Sequence, residues 1–90
     1  MPRWGTSKYQ PLGDYLAAQP ADVAGVTLTL AEVERVVGAP LPRGAAERAW
    51  WANVRRMPSS QSRAWLGACW RVDALALRAD PPIVTFVRDA

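Results

Sequence analysis

The sequence predicts an α+β domain built from three short helices, one short strand and a C-terminal β-hairpin. Three observations predict it. Residues 29–38, TLAEVERVVG, contain a complete helix start and stop. From Trp70 the apolar period changes from 3.6 to 2, with WRVDALAL and IVTFVR alternating on either side of ADPP. A chain of 90 residues, 50% of them apolar and 21% charged, is globular and has room for one core, which large side chains must fill.

Residues 1–7 read as a flexible polar leader and residues 8–90 as a single domain. The first helix is expected over residues 11–19. Pro11 suits a first helical turn, where its missing N–H is not needed. Leu12, Tyr15 and Leu16 fall on one face, and Pro20 stops the helix. Val26, Thr27 and Leu28 make a short β-prone run. Thr29 and Glu32 then form a T-x-x-E capping box, with Leu28 placed to staple onto Val33. Leu30, Val33 and Val37 line the second helix, and Gly38 followed by Pro40 ends it.

Residues 41–48 suggest one irregular helical turn, residues 50–54 an extended piece, and RRMPSS a loop. Ser59 or Ser60 can cap a third helix reaching about Ala68, with Ala64, Trp65, Ala68 and Cys69 on its inner face. The Asp80-Pro81-Pro82 sequence disfavours a two-residue type I′ turn, so a wider hairpin connection is expected. The resulting order, helix–strand–helix–helix–hairpin, is winged-helix-like, and the hairpin would be the wing. The link between the second and third helices is far longer than the three or four residues of a helix-turn-helix turn.

Several stretches, K-Y-x-P-L-x-x-Y-L (Lys8 to Leu16), L-T-L-A-E-V-E-x-V-x-G (Leu28 to Gly38), L-P (Leu41 and Pro42), W-W-A-N (Trp50 to Asn53) and A-W-L-x-x-x-W-x-V (Ala64 to Val72), carry a family likeness. Together they resemble an uncharacterised bacterial family described as a domain of unknown function. The resemblance runs from Lys8 to about Arg88, and its tryptophan motifs are the most specific parts. It implies a domain boundary and no activity. This chain departs from the pattern at Val54 and Arg55, where the family continues W-W-A-N with an Asp, and at Cys69, where a Gly precedes the last Trp.

Most catalytic chemistry is missing from the composition. There is no histidine, which removes the common general base and the commonest transition-metal ligand. The single cysteine, Cys69, can form neither an internal disulfide nor a cysteine-built zinc site, and beside Trp70 it reads as a buried packing residue. No Gly-rich phosphate loop is present, and Glu32 and Glu34, two apart on a helix, do not share a face. The expectation is a non-enzymatic protein without metal or cofactor. MPRWGTSKYQ has no apolar run of the signal-peptide kind, and no stretch is long enough to span a membrane. A cytoplasmic protein is expected.

Charge and aromatic side chains concentrate in one region. The net charge is +3, but Arg43, Arg48, Arg55, Arg56, Arg63 and Arg71 lie in a span whose only acid is Glu47. Within it, AWWANVRRMPSSQSRAWLGACW carries four of the five tryptophans and no acid. Such a face suits an anionic partner. Arg55, Arg56 and Arg63, in a loop that leads into a helix, are the candidate phosphate contacts, and Arg71 and Arg78 could add contacts from the hairpin. One ring of Trp50 and Trp51 could offer a base-stacking platform, the other joining the core. Gln61 and Asn53 carry amide edges able to read adenine. Asn53 reads equally as a structural hydrogen-bonding residue, and Trp65 and Trp70 as core. Two functions fit: a module binding nucleic acid, double-stranded DNA in preference, or a protein-interaction module that holds an acidic protein partner or forms a homodimer, since Trp and Arg also dominate protein hot spots.

Overall fold

A computed structural model describes residues 8–89. The expected leader, residues 1–7, lies outside the described residues. The chain is α+β: α1 (Gln10–Ala17), β1 (Gly25–Thr29), α2 (Leu30–Val37), two single 3₁₀ turns (Arg43–Ala46 and Arg48–Trp51), α3 (Ser60–Gly67), β2 (Trp70–Ala76) and β3 (Ile83–Arg88). The strands form one antiparallel sheet in the order β1–β3–β2. The short strand predicted before the second helix is therefore part of the hairpin's sheet.

Local signals act where the sequence places them. The Thr29 hydroxyl accepts the Glu32 backbone N–H at 3.0 Å, and the Thr29 N–H donates to Glu32 Oε1 at 2.8 Å. Gly38 ends α2 in the left-handed region at φ 80°, a conformation that glycine adopts without a Cβ penalty. Ser59 caps α3, accepting the Ser62 N–H. The hairpin connection spans residues 77–82 and contains a cis Asp80–Pro81 peptide.

The helices meet in an order the sequence does not reveal. α2 and α3 both pack on α1, and residues 38–59 pass between them in two tight turns. Gly13 is buried because α1 and α3 approach so closely that a β-carbon there would overlap the Ala64 carbonyl oxygen. This contact rotates α1, so its inner face is Leu12, Gly13 and Leu16, and Tyr15, predicted inward, is exposed.

The core is aromatic. Trp51, Trp65, Trp70 and Phe86 are each at most 1% exposed, joined by Leu12, Leu16, Val33 and Val84. Trp51 and Trp65 stack with centroids 5.8 Å apart, and Phe86 lies 5.6 Å from Trp65. Burial of each large ring removes roughly 150–250 Å² from water, which lets a small domain form a stable interior. Arg88 closes the back of the core: its guanidinium lies 4.6 Å from the Trp70 ring while donating to the carbonyls of Val23 and Pro20.

Candidate nucleic-acid interface

The basic, Trp-rich region turns its tryptophans and its two amides inward and most of its arginines outward. Residues 50–54 are predicted extended, which would send the two rings to opposite sides. Trp50 and Trp51 instead belong to a 3₁₀ turn, and the Trp51 Nε1–H donates to the Ala45 carbonyl at 2.8 Å. The turn brings both rings inward, in edge-to-face contact at 4.7 Å. Trp51 is fully buried and has no face for a base. Trp50 is half-buried, in ring contact with Tyr9, Trp51 and Trp65, so of the pair it alone keeps exposed surface.

The two amides both face inward. Asn53 Oδ1 accepts hydrogen bonds from Trp65 Nε1 at 3.0 Å and from the Val72 N–H at 2.9 Å, and Asn53 Nδ2 donates to the Val72 carbonyl at 2.9 Å. One carboxamide thus joins the insert, α3 and β2. Gln61 donates to the Trp50 carbonyl at 3.1 Å, tying α3 to the turn before the loop. A base could reach either edge only by displacing these bonds.

The arginines separate into tied and untied groups. Arg55 holds Asp89 through two parallel hydrogen bonds, 2.7 and 3.0 Å, and its side chain remains 57% exposed. Those bonds hold the Asp89 carboxyl below the usual carboxylate range and raise the Arg55 guanidinium above its own ordinary value. Arg71 pairs with Asp73 at 3.1 Å and lies 3.8 Å from Asp89. Arg56 and Arg63 are exposed, as are Arg43, Arg48 and Arg78, and none of these five has an ion-pair partner among the described residues. Met57, between the Arg55–Arg56 pair and Pro58, is 93% exposed with a left-handed φ of 49°.

The profile of one protein family, described as Domain of unknown function (DUF7662), matches residues 9–90. The chain belongs to this family. No curated protein and no solved structure matches it. One departure of this member has a structural meaning. Cys69, predicted as a buried packing residue, is exposed and sits at φ 65° in the corner between α3 and β2. The left-handed corner directs its side chain away from the core, and it is the corner where the family resemblance implies a glycine. No helix among the described residues is long and apolar enough to cross a membrane, and no three His, Cys, Asp or Glu side chains gather there as a metal site.

Arg88 is the important residue that sequence reasoning passes over. It stands at the end of an alternating strand and gives no motif, although a lone arginine beside a buried tryptophan is a usable signal for a cation–π clamp.

Proposed function

We propose that this domain binds nucleic acid, double-stranded DNA in preference, through the exposed side of the loop from Arg55 to Ser59 and of α3. One observation carries the proposal: folding occupies five of the eight acids, with Asp22, Glu47 and Asp80 left exposed, and leaves five arginines of the basic span and the hairpin untied. Glu32 caps α2, Glu34 accepts the Leu41 N–H, Asp14 accepts a hydrogen bond from Gln10, and Asp73 and Asp89 pair with arginines. Arg43, Arg48, Arg56, Arg63 and Arg78 face solvent without such partners among the described residues. Pairing leaves the net charge at +3, but these five guanidiniums remain available to a polyanion, which gains by releasing counterions. The winged-helix-like element order supports the same reading, since the third helix and the wing of that arrangement face DNA.

Arg56 and Arg63 are the primary phosphate contacts in this proposal, and Arg55, already held by Asp89, is secondary. Trp50 is the ring of the tryptophan pair that keeps exposed surface to approach a base. The test is fluorescence anisotropy against a labelled random-sequence duplex over a salt series. Arg56→Ala and Arg63→Ala should each weaken binding equally on all sequences and lower the log–log salt slope by about 0.9. A double variant that binds like the parent, or a parent that does not bind at low salt, refutes the proposal. The free backbone edge of β2 favours a second role, docking of a protein segment.

A further inference from the structure

We infer that the outer edge of β2 takes an extended, acidic peptide segment as a fourth strand, paired at Leu75 and held by Arg48 and Arg78. The order β1–β3–β2 leaves β2 with β3 on one side only. Successive residues of an antiparallel strand direct their backbone groups to alternate neighbours. The Arg88 N–H bonds the Ala24 carbonyl on the β1 side, and the Asp89 N–H bonds the Cys69 carbonyl on the β2 side. Val84 and Phe86 therefore turn toward β1, as Arg88 does. Their partners across β2 are Leu75 and Val72, whose own N–H and C=O groups consequently point outward.

Val72 shows what this edge accepts. Both its outward groups are bonded by the Asn53 carboxamide, a side-chain copy of a peptide group. Leu75, the next outward position beyond the bulge between Val72 and Ala74, has no such cover among the described residues. It opens into a groove between the β2 edge and the two 3₁₀ turns. The groove has two compartments of about 490 and 250 Å³, which share Arg48 and Leu75 and so run together. That space follows the strand from Asn53 to the hairpin turn and suits a few residues of extended chain.

Charge selects the occupant. Arg48 and Arg78 both line the larger compartment, with no ion-pair partner among the described residues. Glu47 is the one acid there, and Asp73 in the smaller compartment already holds Arg71. A segment with carboxylates on alternate residues meets the unpaired backbone with its own backbone and the guanidiniums with its side chains. The site uses neither Arg56 nor Arg63, the primary phosphate contacts of the proposed DNA surface, but it shares Arg48 and Arg78 with that surface, so the response at Leu75 is what separates the two.

The probe is a blocked hexapeptide of alternating valine and glutamate, titrated into the full chain and followed by amide NMR. Two controls accompany it: the same peptide N-methylated at alternate amides, and a valine–lysine version. The expected result is a shift and slowed exchange of the Leu75 amide, lost with both controls. Joint replacement Arg48→Ala and Arg78→Ala, both exposed, should weaken binding roughly tenfold, the loss expected for a charge-assisted hydrogen bond. Equal binding of the N-methylated peptide reduces the site to charge alone and overturns the inference. So does an absence of binding, a response centred on Arg56 and Arg63 in place of Leu75, or a concentration-dependent dimer that covers Leu75 with a second copy.

Discussion

Replacing Asn53 by alanine should destabilise the domain far more than a half-buried loop residue ordinarily does. The substitution deletes an acceptor that serves Trp65 Nε1 and the Val72 N–H, and a donor that serves the Val72 carbonyl. These losses are unequal. Trp65 is 0% exposed, so its indole N–H has no access to water. Leaving a buried donor unsatisfied costs about 1–3 kcal/mol. Val72 lines the groove beside β2, where water can replace the lost amide, so its two bonds together add about 1 kcal/mol. The sum is about 3 kcal/mol. A domain of 90 residues has roughly 5–13 kcal/mol in total, so this is a large share. At about 4–8 °C per kcal/mol for this size, the melting temperature should fall by roughly 15 °C. Urea unfolding followed by tryptophan fluorescence measures the loss. A double-mutant cycle with Trp65→Phe isolates the indole bond, and its coupling should exceed about 0.5 kcal/mol. A loss below about 1 kcal/mol, or strict additivity in the cycle, would show that the carboxamide does not hold these three elements together.

Three further outcomes follow from the same contacts. Cys69→Gly should stabilise the chain by about 1 kcal/mol, because the left-handed corner at φ 65° strains a residue with a β-carbon, and part of that gain is offset by a more flexible unfolded chain; the urea midpoint should rise, and a fall would refute the strain. Gly13→Ala should force α1 away from Ala64 and cost about 1–3 kcal/mol, against a small gain at an ordinary helix position; thermal unfolding decides. Glu32 is held below the ordinary carboxylate range by hydrogen bonds from Thr29, and Asp89 by those from Arg55. A carboxylate whose pKa is lower folded than unfolded stabilises above its unfolded value and loses that contribution as pH falls through its folded one. Stability should therefore decline below about pH 4, and Glu32→Gln with Asp89→Asn should flatten that acid limb; an unchanged limb rules out both groups.

The elements legible in the sequence are those set by neighbouring residues. The capping box of Thr29 and Glu32, the stop at Gly38, the Ser59 cap and the alternation of the two hairpin strands each act within a few positions, and each lies where the sequence places it. The turn at Trp50 and Trp51 was not legible. Ala52 and Asn53 are extended and in a loop just beyond it, but the single 3₁₀ turn is held by packing against Tyr9, Trp65 and Phe86, which are distant in sequence. The candidate site follows the same division. That the region is basic could be counted, but which arginines stay untied depends on Asp89, an acid 34 positions from Arg55.

By itself, the sequence determined the α+β class, the helix caps, the hairpin and the clustering of charge, because these follow from side-chain period, local hydrogen bonds and composition. The inward positions of Leu12, Leu16, Val33, Ala64 and Trp65 were legible too, and only the tertiary structure decided the exceptions. Close approach of Gly13 to Ala64 turned Tyr15 outward, and a left-handed corner turned Cys69 outward. Asn53 was drawn into a three-way bond because the indole of Trp65 and the edge of β2 needed partners that no adjacent residue supplies. Most buried polar groups find a partner where the chain crosses itself, Trp70 Nε1 being an exception, and the sequence does not say where it crosses.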